Sequence, residues 1–73
     1  MLKNRLILEV TAFLEDKNVY RVGIPWDIII SISEVPNLNN VCNILYGNNT
    51  EINVDASYDL LIEQWEQYME NEV

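Results

Sequence analysis

Hydrophobic residues in this chain recur at every second position up to Val54 and at every third or fourth position from Tyr58 onward. A single change of period of this kind confines the fold to strands first and one helix last. Leu6, Leu8, Val10, Ala12 and Leu14 alternate with Ile7, Glu9, Thr11 and Phe13, which predicts a first strand. Asp16-Lys17-Asn18 reads as a three-residue hairpin loop, because Asn accepts the left-handed backbone needed at its last position. With Glu15 paired to Val19, Leu14 faces Tyr20, Ala12 faces Val22 and Val10 faces Ile24, so one side of the hairpin is wholly apolar. The other side sets Phe13 across from Arg21, within reach of a cation–π contact.

Pro25 lacks an N–H and breaks the ladder, after which a third strand is expected over Asp27 to Val35, with Ile28, Ile30 and Ile32 alternating against Ile29, Ser31 and Ser33. The polar turn Pro36 to Asn40 leads to a fourth strand, Val41 to Tyr46. The turn Gly47-Asn48-Asn49 leads to a fifth, Thr50 to Val54, with Ile52 and Val54 inward. Asp55 or Ser57 then caps a helix running to about Asn71. Its residues Tyr58, Leu61, Ile62, Trp65, Tyr68 and Met69 form one apolar stripe. The expected fold is α+β: about five short antiparallel strands, as a meander or a small curled sheet, with one C-terminal amphipathic helix.

At 73 residues the chain reads as a single small domain, with 1–54 forming the sheet and 55–72 the helix. A chain of this size buries only about 60 % of the surface its unfolded form exposes. Self-association is therefore expected, through an exposed edge strand or through the surfaces of Trp26 and Trp65. Two Trp and a hydrophobic content of 49 % are too apolar for a disordered acidic tail. No stretch approaches the roughly 20 apolar residues that span a bilayer, and Glu9 interrupts the apolar start, so a cytoplasmic protein is the expectation. With no His and a single Cys, Cys42, the usual zinc sets, Cys/His nucleophile pairs and histidine acid–base catalysis are excluded. No internal disulfide can form, and Cys42 in its apolar run reads as a small buried side chain. Asn48-Asn49-Thr50 matches a glycosylation sequon but is read as a turn.

Charge is segregated. After Arg21 there is no Lys or Arg, while Asp27, Glu34, Glu51, Asp55, Asp59, Glu63, Glu66, Glu70 and Glu72 follow, and the net charge is −8. Asp59, Glu63, Glu66 and Glu70 lie within about 40° of the direction opposite Leu61 on the helix. A solvated outer face would account for such a row, but ordinary surface helices intersperse cations. Here Asp59/Glu63 and Glu66/Glu70 are like-charged i,i+4 pairs, each costing a few tenths of a kcal/mol, and the last acids sit at the helix end where the macrodipole disfavours them. Carboxylates repeating once per turn, about 5 to 6 Å apart, approximate the phosphates of a nucleic-acid strand. The row thus reads as a partner-binding surface of Asp55, Asp59, Glu63, Glu66 and Glu70 that fits a basic groove built for DNA or RNA. Direct nucleic-acid binding is not expected, because that affinity comes from cations. Small acidic inhibitors of nucleic-acid machinery, anti-CRISPR proteins among them, are similar in this respect.

A second reading places Lys3, Arg5 and Arg21 on the polar face of the first hairpin with Phe13 or Tyr20 to stack, holding a small anionic nucleotide as an oligomeric sponge would. Catalysis by paired carboxylates needs a concave site holding them in different environments, for which a domain of this size offers little room. No enzyme activity, cofactor or metal is expected.

The run Ile24 to Pro36, the Asn-rich gap, Val41 to Gly47, Glu51-Ile52-Asn53-Val54 and the Ser57-led helix together resemble, over residues 24–70, the small FlbD-like bacterial proteins linked to flagellar and swarming motility. It implies a strand-rich fold closed by a helix and a non-enzymatic accessory role in motility. That family usually carries Lys near the end of its last strand and basic residues in its helix, where this chain has Asp55 and acids alone. The expectation that results is a non-catalytic cytoplasmic binding factor, phage or mobile-element encoded and acting in the host bacterial cytoplasm. It would be homo-oligomeric, with no membrane contact, and would block a basic nucleic-acid-binding protein through its helix face.

Overall fold

A computed structural model describes residues 6–13 and 18–71. The elements follow the order that the change of period implies: β1 (Ile7–Phe13), β2 (Val19–Pro25), a 3-10 turn (Trp26–Ile28), β3 (Ile29–Glu34), β4 (Val41–Tyr46), β5 (Thr50–Asp55) and α1 (Tyr58–Asn71). The strands form one antiparallel sheet in the order β2-β1-β5-β4-β3. The protein is α+β, an antiparallel sheet carrying a C-terminal helix.

That order requires curvature. β2 and β3 are consecutive in the chain yet stand at opposite edges, joined only by the residues of the 3-10 turn. A flat five-stranded sheet would hold its edges about 19 Å apart, four spacings of about 4.8 Å. The Cα steps from Pro25 to Ile29 reach at most about 15 Å, and a 3-10 turn rising about 2 Å per residue spans less. The sheet therefore curls, and a simple meander is excluded because β1 inserts between β2 and β5.

The register explains the core. Leu8 faces Ile24, Ala12 faces Val54, Val54 faces Cys42, and Ile44 lies between Ile32 and Ile52, all of them buried. Helix α1 adds Leu61, which is 1 % exposed, and packs Ile62, Trp65 and Tyr68 against the same cluster. The ring of Tyr68 stacks on Trp26 with centroids 6.1 Å apart and 21° between planes. Trp26 is thus buried, and the oligomer surface expected there does not exist; Trp65 is half-buried.

Two registers differ from expectation. In the first hairpin Ala12 faces Tyr20, Val10 faces Val22 and Thr11 faces Arg21, with Phe13 across from Val19. This is a slip of two residues from the expected pairing, and alternation cannot detect it because a two-residue shift keeps every side chain on its own face. The slip takes Trp26 out of the ladder position opposite Leu8 and frees it to pack on Tyr68, while its N–H donates to the carbonyl of Leu6 at 2.9 Å. Leu14 and most of the expected loop lie outside the described residues. In β3 the pairing jumps from Ile29↔Tyr46 to Ser31↔Leu45. Ile30 is the extra residue of this bulge and points to solvent, so Ile29 and Ile32 are buried where Ile28, Ile30 and Ile32 were expected together. The segment Asp27–Ile28 belongs to the 3-10 turn rather than to the strand.

The β4–β5 turn depends on Gly47 at φ 60° and Asn49 at φ 63°. A Cβ at Gly47 would meet nothing within 4 Å. Gly47→Ala is therefore expected to cost about 1 kcal/mol of stability through backbone conformation alone, readable as a shift of the urea midpoint at unchanged slope.

Candidate functional site

Helix α1 begins where β5 ends. The carbonyl of Ser57 accepts the first helical bond, from the Leu61 N–H at 3.0 Å, which makes Ser57 the N-cap residue of the two proposed. Asp55 is the last residue of β5, paired with Val41, and the helix starts at Tyr58. Burying Leu61 fixes the helix rotation, and Asp59, Glu63, Glu66 and Glu70 consequently all face solvent. They span 12 residues from Asp59 to Glu70, about 16 Å of helix axis. Asp55 is also exposed, but it stands at the end of β5, next to the buried Val54, and not on the helix. The apolar stripe is narrower than expected, since Met69 is 56 % exposed. Leu60, 50 % exposed, flanks the acids on the opposite side from Met69.

A polar cleft of about 420 Å³ opens at the N-terminal end of this row. It is bounded by Glu34 at the end of β3, Asn39 and Asn40 in the following turn, Cys42 in β4, and Ser57 and Asp59. The turn is held by the Val35 N–H donating to the Val41 carbonyl at 3.1 Å, and Asn37 and Asn40 take left-handed backbone at φ 70° and 57°. Left-handed backbone costs Asn little, which is why these positions suit the type. Glu34, Asn39 and Asn40 were not among the expected site residues. The signal that could have found them is the antiparallel pairing of β3 with β4, which carries their turn to the same end of the sheet as the start of α1.

Cys42 lies beneath this cleft, 1 % exposed, with its Sγ donating to the Ala56 carbonyl at 3.3 Å. Burial pushes its thiol pKa up from 9.0, and the carboxylate of Glu34 adds to the rise. The folded state thus keeps the proton longer than the unfolded chain does, so this group lowers stability as pH rises past about 9. Between pH 8 and pH 10 the native protein is expected to lose more stability than the Cys42→Ala variant, measured by urea unfolding at each pH.

Of the second set, Arg21 and Phe13 share the outer face of the β1–β2 hairpin, but as diagonal neighbours about 7 to 8 Å apart and not as the expected cross-strand pair. Lys3 and Arg5 lie outside the described residues, so Arg21 is the only Lys or Arg among those described. No group of three or more metal-ligating side chains occurs among the described residues. None of their helices is long and apolar enough to cross a membrane. Comparison with protein-family models, curated proteins and solved structures found no match to this chain.

Proposed function

We propose that the protein is a non-catalytic binding factor whose α1 face occupies a basic, nucleic-acid-binding groove on another protein. The observation that carries this reading is the orientation of α1. Packing of Leu61 turns Asp59, Glu63, Glu66 and Glu70 outward as one row, on a segment where no Lys or Arg neutralises them. Among the described residues nothing in the packing calls for four acids there, two pairs of which repel, and no cation pairs with them. A cationic groove would offset that repulsion, and the field of a chain at −8 would speed encounter with it. Glu34, Asn39 and Asn40 border the same end of the row and supply neutral and acidic contacts beyond it, and Asp55 adds an exposed acid at the end of β5. In a bacterial host, such a factor would act as an inhibitor in the manner of small phage counter-defence proteins. The test is recovery of partners from nuclease-treated bacterial lysate by the tagged protein, at low and at high salt, with identification by mass spectrometry. Salt-sensitive recovery of a nucleic-acid-binding protein, reversed by added DNA or RNA, is expected. Recovery that nucleic acid does not compete, or of flagellar components instead, would exclude the mimic.

A further inference from the structure

We propose that β2 is a self-association edge, on which a second copy of the chain pairs antiparallel about a two-fold axis at Val22. β2 meets β1 in seven consecutive pairs without a bulge and has no strand on its other side among the described residues. Proteins usually blunt such an edge with bulges, charges or cover. The other edge, β3, is protected in that way: it is bulged at Ile30, contacted by α1, and ends in Glu34. β2 has neither bulge nor covering helix, leaves Val19 56 % and Tyr20 39 % exposed, holds Pro25 only at its end, and carries a single charge, Arg21, which bars another edge unless an acid meets it.

Charge selects the partner. Nine of the twelve acids lie beyond Arg21, so two copies repel over most of their surface, and β2 holds the one cation described. A two-fold centred on Arg21 would set the two guanidinium groups opposite one another. Centred on Val22, each Arg21 instead faces Gly23 of the second copy, which has no side chain to block it. The strand beyond Gly23 places Glu9 directly across from it, on the same outer face. Arg21 of one copy can therefore lie over Gly23 and reach Glu9 of the other, a distance of two strand spacings, about 10 Å, which an extended Arg and a Glu close together. The symmetry forms this pair twice. The inference does not depend on the helix face, which β2 does not include.

Mixing tests it. Arg21→Glu and Glu9→Arg each leave like charges at both contacts of a homodimer, whereas a heterodimer of the two variants has both contacts matched. Each position is exposed, and circular dichroism checks that each variant folds. In sedimentation equilibrium the wild type is expected to dimerise, each variant to dimerise about tenfold more weakly, and the equimolar mixture to recover wild-type affinity. A pairing of Arg21 with Glu9 inside one chain could not produce recovery on mixing. Independently of any variant, β2 amides of the wild type should gain protection from hydrogen exchange as concentration rises. A monomeric wild type, variants that associate unchanged, a mixture without recovery, or β2 amides indifferent to concentration would each overturn the proposal.

Discussion

Leu61→Ala is expected to leave the domain largely unfolded at 37 °C, while Leu60→Ala, one residue away, leaves it nearly unchanged. Leu61 is 1 % exposed at the centre of the α1 contact, and Leu60 is 50 % exposed. Truncating a buried Leu removes its transfer free energy and leaves a cavity, together about 2 to 5 kcal/mol. A small domain has a total near the low end of about 5 to 15 kcal/mol, so most of it is lost. A surface substitution falls within about 0.5 kcal/mol. Thermal unfolding followed by circular dichroism reads both. Equal effects of the two changes would mean that α1 is rotated from the orientation described, and the outward acidic row would go with it.

Replacing Glu63, Glu66 and Glu70 together with Gln is expected to weaken partner binding by about 100-fold, because three exposed charge pairs with the partner are removed together. Stability should move the other way. Gln at these positions relieves the like-charged i,i+4 pairs and removes acids from the helix end where the dipole opposes them. The variant should therefore melt slightly higher than the parent, which separates a disabled binding face from a damaged fold. The remaining affinity should also respond less to salt, because fewer exposed charges are left for ions to screen. Binding that survives the triple change would place the interface elsewhere.

The extent to which these elements could be read from the sequence follows from how each is specified. β4, β5 and α1 are flanked by turn and cap residues, Asn40, Gly47, Asn49 and Ser57, and their limits fell within a residue or two of expectation. The outward direction of Asp59, Glu63, Glu66 and Glu70 was legible because a helix with one strongly apolar side has only one way to pack. The β1–β2 register was not legible, since a two-residue slip preserves the pattern and is decided by where Trp26 finds Tyr68. The bulge at Ile30 was hidden in an unbroken run of Ile, where no polar residue marks which one turns outward. The meeting of Glu34, Asn39 and Asn40 with the start of α1 depends on strand order, and no local signal carries strand order.

The short 3-10 link also sets how the molecule assembles in time. β1–β2 and β3–β4–β5 are each hairpin-connected and can form from near neighbours in the chain, whereas the seam that joins them brings Ala12 to Val54. Closing that long loop is the entropically demanding step. Trp26–Ile28 ties the far ends of the two units together, so the same closure event must bend the sheet and seat Trp26. Substitutions at Ala12 or Val54 are therefore expected to slow folding, and changes at the exposed end of α1 chiefly to alter unfolding, read from the two arms of a urea chevron.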